Sequence, residues 1–193
     1  HIPKMVMYSE SGLQNSEIAA INDQLFEKNI HRLIVKDELF ASVSDVHAKF
    51  GVLIVFSPVI HKAPNELLSD SVILDTVQDP GNLGTMLRTA SAAGVHDVYL
   101  SSDTASAWSP KAMRAGMGAQ FSLRIHENVD VVTLAKHSRI PVIATYLGDD
   151  SKILYESDLT GETAWVFGSE GNGVSGELLA VCTGKVTIPQ AST

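Results

Sequence analysis

"SVILDTVQDPGNLGTMLRTASAAGV", Ser71 to Val95, decides the reading of the fold. It opens on an apolar run, Val72 to Leu74 with Val77 beyond it, that shows little alternation, as in a strand buried on both faces. The run breaks at Pro80-Gly81, where Pro presets φ and Gly supplies angles that other residues avoid. Asn82 then reads as the N-cap of a helix. On that helix Leu83, Met86, Leu87, Ala90 and Gly94 share one face. At about 100° per residue Arg88 falls roughly 140° from Leu83, so it faces solvent or a partner. Taken alone, Asn82 and Arg88 are as well explained by a cap and a surface charge as by a site.

Similar apolar runs recur along the chain at 31–35, 51–57, 97–101, 141–147, 163–168 and 185–189. Helix-like segments lie between them at 15–28, 37–49, 83–94, 109–117, 128–138 and 174–181. Strand and helix alternating in this way predict an α/β fold with a Rossmann-like parallel sheet covered by helices. The polar, Pro64-containing stretch 63–70 reads as a linker. Residues 1–62 then form a small α/β domain and residues 71–193 a larger one.

The bulk composition excludes several classes. With 193 residues, 45% apolar and 19% charged, the chain has ordinary globular composition. Its longest apolar stretch, Phe50–Ile60, contains a Ser and a Pro and falls short of the roughly 20 residues a membrane helix needs. No secretory signal pattern opens the sequence. One cysteine, Cys182, excludes an internal disulfide framework and fits a reducing, cytoplasmic setting. Its bland role is a small half-buried side chain. Seven histidines fall into no metal-ligand spacing, so no metal site is expected. A net charge of −8 speaks against a wholly basic nucleic-acid binder. Between Arg88 and Arg124, however, four bases stand against two acids, enough for a local phosphate-binding patch.

Two further blocks could carry chemistry. "VFGSEGNGVSGELL" (166–179) is a strand running into a Gly-rich loop and a helix, with Glu170 at the strand tip, where α/β sheets place ligands. Its G-x-x-G-x-G order is neither the dinucleotide fingerprint nor a phosphate loop nor a nucleophile elbow. "WSPKAMRAGMGAQF" (108–121) sets Lys111 and Arg114 one turn apart, as a phosphate clamp or a solvated face.

Together the blocks are more specific than any one of them. "LDTVQDPGNLGTMLRTASAAGV", "VFGSEGNGVSGELL" and "VTIP" occur in this order, each at a strand end. The chain over about 71–190 resembles the SpoU (TrmH-type) family of RNA ribose 2′-O-methyltransferases, of the SPOUT class. Asn82 and Arg88 match the polar positions of the family's first motif and Glu170 that of the second. Ile188-Pro189 matches the start of the third. Gly116 departs from the Ser that family members often carry. The Ser-Leu-Asn part of the third motif does not occur before Thr193, so the trefoil-knot segment is expected to be truncated and the domain C-terminally incomplete. Residues 1–62 loosely resemble an L30e-like RNA substrate-binding domain.

The resemblance implies S-adenosylmethionine as cofactor, RNA as partner (rRNA before tRNA), a homodimer and no membrane association. It implies catalytic roles for Arg88, Asn82 and Glu170. Cofactor contacts would come from Thr145, Tyr146, Leu147, Gly168, Glu170, Gly171, Ile188, Pro189 and Gln190, and RNA contacts from Arg88, Lys111 and Arg114. The leading rival is a non-catalytic RNA-binding module of the same fold. A nucleotide-dependent α/β enzyme is weaker, because both phosphate-loop patterns are missing.

Overall fold

The computed structural model of the chain describes residues 1–43 and 50–189. It divides into two units, His1–Val59 and Ile60–Thr193.

In the first unit, β1 (Ile2–Ser9) lies between β2 (His31–Val35) and β3 (Val52–Ser57). Helix α1 (Ser16–Glu27) starts at Asn15, whose Oδ1 accepts the amides of Glu17 (2.9 Å) and Ile18 (3.4 Å). Val6 and Tyr8 of β1 pack with Ile18 and Leu25 of α1 to form the core of this unit. Two expectations need correction. β1 was not anticipated, because Pro3 and Lys4 open it and its apolar residues continue on both faces. The sheet is also not all parallel: β1 pairs parallel with β2 but antiparallel with β3. Strand–helix alternation fixes that strands exist, not the direction in which the last one returns. Helix α2 is described over Asp37–Val43, and the rest of the helix expected over 37–49 lies outside the described residues.

The second unit carries the predicted parallel sheet. Its strands are β4 (Ser71–Leu74), β5 (Asp97–Ser101), β6 (Arg124–Val129), β7 (Val142–Thr145), β8 (Lys152–Ile153), β9 (Ala164–Phe167) and β10 (Gly184–Thr187). They are ordered β6-β5-β4-β9-β7-β10-β8, and every pairing is parallel. All four residues of β4 are buried. Val72 and Leu74 join one core layer with Leu83, Leu87 and Leu100, while Ile73 joins the other with Val142, Val166 and Leu178. This two-sided burial is what the unalternating apolar pattern predicts. Leu67, from the stretch read as a linker, is buried in the second of these layers.

Helices α3 (Pro80–Ala92), α4 (Pro110–Gly116), α5 (Val131–Lys136) and α6 (Gly176–Leu179) flank the sheet. Leu83, Leu87 and Ala90 bury the predicted face of α3. Its start differs from expectation. The N-cap is Asp79, whose Oδ1 accepts the Asn82 amide at 2.9 Å, so Asn82 sits inside the first turn. α3 and α4 approach closely at Gly84, where a Cβ would lie 2.4 Å from the Ala112 carbonyl oxygen. β6 and the two-residue β8 were not anticipated either; "RIHENV" is largely polar and β8 is too short to read. The helix expected from residue 128 begins at Val131, after an Asp130 cap.

The polar content of β6 has a partner. Asp97 and Arg124 face each other in register at the starts of β5 and β6, joined at 2.7 and 2.5 Å, and His126 Nε2 lies 3.3 Å from Asp97 Oδ1. His126 stacks on Tyr99 with 4.7 Å between ring centroids. Burial of Asp97 works to raise its pKa, but hydrogen bonds from Arg124 and His126 outweigh it and hold the carboxyl below its ordinary 3.8. A carboxyl with a depressed folded-state pKa stabilises the fold above the unfolded value, and that contribution is lost as pH falls through the folded one. Asp97→Asn should therefore flatten the fall in thermal stability below about pH 4, measured by melting the variant and the unaltered chain across an acid series.

Candidate active site

The sheet order places its switch point beside β4: consecutive strands run outward through β5 and β6, whereas β9 and β7 lie on the other side. Ligands of open α/β sheets bind outside the carboxyl ends of the strands at such a point. Here those ends carry the N-terminus of α3 and the Gly-rich loop after β9. Between them lies a cleft of about 600 Å³ lined by Gln78, Asn82, Thr85, Thr145, Gly168 and Glu170, among others.

The loop is shaped by its own backbone. Ser169 and Gly173 exchange hydrogen bonds at 3.0 and 2.9 Å, which folds the chain back over Gly168. A Cβ at Gly168 would stand 2.0 Å from the Gly173 carbonyl carbon, so only glycine permits the fold-back. Glu170 is carried at the exposed tip. There its Oε1 accepts a hydrogen bond from Asn82 Nδ2. The correction at the helix start explains this contact. With Asp79 capping α3, the Asn82 side chain is not spent on the helix terminus and reaches across the cleft.

Asp75, not singled out by the sequence pattern, anchors this loop. It directly follows β4, is buried, and its Oδ2 accepts the Ser175 amide at 2.8 Å. Its own amide donates to the Phe167 carbonyl at 2.8 Å. Asp75 thus fixes the residue before the loop and the residue after it. The available signal was a charge closing an otherwise apolar strand. The next residue, Thr76, is β-branched at φ 55°, an uncommon conformation that the Ser101 Oγ holds through the Thr76 amide at 2.9 Å.

The basic residues divide. Lys111 pairs with Asp79 Oδ2 at 2.5 Å, a bond that, first among its causes, keeps the Asp79 carboxyl below its ordinary range. Lys111 therefore ties α4 to the cap of α3 instead of standing free as half of a clamp. Arg114 and Arg88 are exposed, with no ion pair or hydrogen bond among the described residues. Arg88 does not line the cleft. It lies two steps of three residues beyond Asn82 along the ridge through Thr85, about 9 Å along the axis. At about 100° per residue it also stands roughly 120° around the helix from Asn82.

Of the residues implied for the cofactor, Thr145, Gly168, Glu170 and Gly171 line the cleft. Tyr146, Leu147, Ile188 and Pro189 do not. They follow β7 and β10, neighbouring strands in which Val186 pairs with Thr145, so both pairs leave the same edge of the sheet. Gln190 lies outside the described residues. Among those described, no helix is long and apolar enough to cross a membrane.

A parallel α/β domain with an Asn–Glu pair at its switch point and a free arginine beside it defines the class that known proteins then specify. Residues 70–193 match the model of the SpoU rRNA Methylase family, and the chain belongs to that family. It is 32% identical over 173 residues, 88% of its length, to the uncharacterised tRNA/rRNA methyltransferase slr1673 of Synechocystis sp.. It is 35% identical over 72% of its length to mitochondrial rRNA methyltransferase 3 of Mus musculus. The chain spans 63% and 35% of these two relatives. Among solved structures, a TrmH-family protein of Porphyromonas gingivalis superposes with a TM-score of 0.79 at 28% identity, covering 98% of this chain and 74% of that one.

Replacing Asp75 by Ala leaves the Ser175 amide without its acceptor, which should cost about 1–3 kcal/mol. Asp75→Asn retains an acceptor oxygen and should cost less. Urea unfolding of both variants checks the order, and amide exchange at 168–175 should quicken most in Asp75→Ala.

Proposed function

We propose that this chain methylates a ribose 2′-hydroxyl in RNA, rRNA in preference to tRNA, from S-adenosylmethionine. The observation that carries the reading is the Asn82–Glu170 hydrogen bond, which joins two motifs 88 residues apart at the switch-point cleft. Family membership supports it, as does the occurrence of all three motifs at strand ends.

The residues present suit the cofactor. The cleft is large enough for a small-molecule site, and the loop backbone at Gly168 and Gly171 carries no side chain to obstruct a ligand. Thr145, Gly168 and Gly171 would hold it, with the Glu170 carboxylate as the negative group facing a cation. Bound there, S-adenosylmethionine would supply an activated methyl group for the ribose 2′-oxygen, whose proton would pass to solvent.

The protein's part is orientation and electrostatics. Asn82 holds Glu170 in one orientation and presents its amide to the ribose. Arg88 is poorly suited to be a base, because a guanidinium has no free lone pair to accept a proton. Its fork instead engages the phosphate beside the target ribose and makes the hydroxyl easier to ionise. Arg114 extends the RNA-binding face on α4, and Lys111 contributes by fixing where α3 begins. The first unit presents RNA, in keeping with its loose L30e-like resemblance. A homodimer, with Leu147 and Ile188 among its exposed apolar residues, and a cytoplasmic setting complete the reading.

The test is transfer of labelled methyl from S-adenosylmethionine to ribosomal RNA by the intact protein, followed by alkaline hydrolysis. A 2′-O-methyl blocks cleavage at its own 3′ linkage, so label should appear in alkali-stable dinucleotides. Label wholly in mononucleotides would mean base methylation and sink the ribose assignment. Arg88→Ala should fold normally and lose activity by roughly 100-fold or more, the scale of removing one transition-state electrostatic partner. Full activity in that variant would contradict the role given to Arg88.

A further inference from the structure

The first unit has a groove of its own, a cavity of about 470 Å³ between helix α1 and β2, an edge strand among the described residues. Asn22, Phe26, Asn29, Ile30, Arg32 and Ile34 line it. Its place follows from the register. Arg32 and Ile34 of β2 pair with Val6 and Tyr8 of β1, which are buried against Ile18 and Leu25 of α1. Paired residues of neighbouring strands share a face, so Arg32 and Ile34 stand on the helix-covered side, at its open margin. There Ile34 is left 62% exposed and Phe26 of α1 61% exposed.

The cation in this groove is held in place. The Arg32 guanidinium carbon lies 4.3 Å from the centroid of the Phe26 ring, and its Nη1 donates to Asn22 Oδ1 at 3.0 Å. Among the described residues that bond uses one of its five N–H groups. Asn29, at φ 55°, has a side chain with no hydrogen bond among the described residues. Several ligand classes fit this set poorly. An aliphatic chain would cover Arg32 and Asn29 without replacing their hydrogen bonds to water. A bare phosphate would use the guanidinium and leave Phe26, Ile30 and Ile34 exposed. Charge does not favour it either, since Lys28, Arg32 and Lys36 stand against Asp23 and Glu27 over this stretch. A peptide strand added to β2 would be held through backbone groups and not through the guanidinium stacked on Phe26.

Resting on the RNA methyltransferase reading, we propose that this groove takes one unpaired RNA base, stacked on Arg32 and Phe26. The site lies wholly within the first unit and is distinct from the methyl-transfer cleft of the second. A nucleobase brings what the groove is equipped to receive. Its flat π face suits the guanidinium and the phenyl ring, and its edge atoms can exchange hydrogen bonds with the Asn29 amide and the remaining Arg32 N–H groups. Every base has such a face, so the site holds RNA without choosing its sequence. Stacking in nearly neutral surroundings also sets it apart from the phosphate contacts assigned to Arg88 and Arg114. Its contribution to affinity should change little with salt, whereas theirs should fall steeply.

The experiment titrates fluorophore-labelled oligouridylate and oligocytidylate into the intact protein and its Phe26→Ala, Phe26→Tyr and Arg32→Lys variants, with affinity read by anisotropy. Methyl transfer to ribosomal RNA is measured on the same preparations. Phe26→Ala should weaken binding of both oligonucleotides by roughly 5- to 100-fold, the scale of one stacked base. Arg32→Lys keeps the charge but loses the flat face, and should weaken binding in the same direction. Phe26→Tyr keeps the ring and should bind within about twofold of the unaltered protein. The ratio between the unaltered protein and Phe26→Ala should hold as salt rises from about 50 to 200 mM. In methyl transfer, Phe26→Ala should raise KM for RNA and leave kcat unchanged. Oligonucleotide affinity within about twofold of the unaltered protein in Phe26→Ala overturns the base site and leaves the groove to a protein segment. A loss in Phe26→Tyr equal to that in Phe26→Ala also overturns it, as a general disturbance of the unit. Either result leaves the methyltransferase reading standing wherever the unaltered protein transfers methyl. An unaltered protein that neither binds RNA nor methylates it overturns both.

Discussion

The hydrogen bond from the Ser175 amide to the Asp75 carboxylate spans 100 residues of sequence and determines where the candidate site can be. β4 is a fully buried interior strand paired on both sides, with β5 and β9, so its end is a firmly placed point. Through Asp75 that firmness passes to both ends of the 168–175 loop, by way of the Phe167 carbonyl and the Ser175 amide. Through the turn at Thr76 it passes to Asp79 and the start of α3. Asn82 and Glu170 meet because each is carried by an element anchored to the same strand end.

Charge is used differently at the two ends of this sheet. At the amino ends of β5 and β6, Asp97 is satisfied by Arg124 and His126 within the protein. On α3, on α4 and in the turn after β5, Arg88, Arg114 and Asp103 keep their charges unspent among the described residues. Asp79 and Lys111 lie between these cases, with an ion pair that fixes the helix start. A chain with net charge −8 can thus still offer phosphate-seeking cations, because what matters is which charges remain unpaired at one edge.

The larger unit was legible in the sequence because its strands are buried on both faces. Residues 71–74 and 97–101 read as strands from composition alone, and the Leu83, Leu87, Ala90 stripe gave the buried face of α3. β6 was not legible, since the partner that makes Arg124 and His126 acceptable in a strand is Asp97, on a neighbouring strand. The start of α3 was misplaced for a related reason. Asp79 and Asn82 are equally good caps in isolation, and Lys111, from α4, binds Asp79. Gly116, which departs from the usual family residue, has a local cause: a Cβ there would lie 2.4 Å from Oε1 of the fully buried Gln120. The site residues Asn82, Arg88 and Glu170 were legible only as motifs taken together. Asp75 belongs to no such pattern and needed the sheet order to acquire neighbours.

The central claim is that Asn82 and Glu170 act as one unit in methyl transfer. A double-mutant cycle measures this directly, from single-turnover transfer to RNA by Asn82→Ala, Glu170→Ala and the pair. If the two side chains work through the bond between them, the double variant should be about as slow as the slower single variant, because residues that act as a unit are not additive. Losses that multiply in the double variant would show two independent roles and contradict the account.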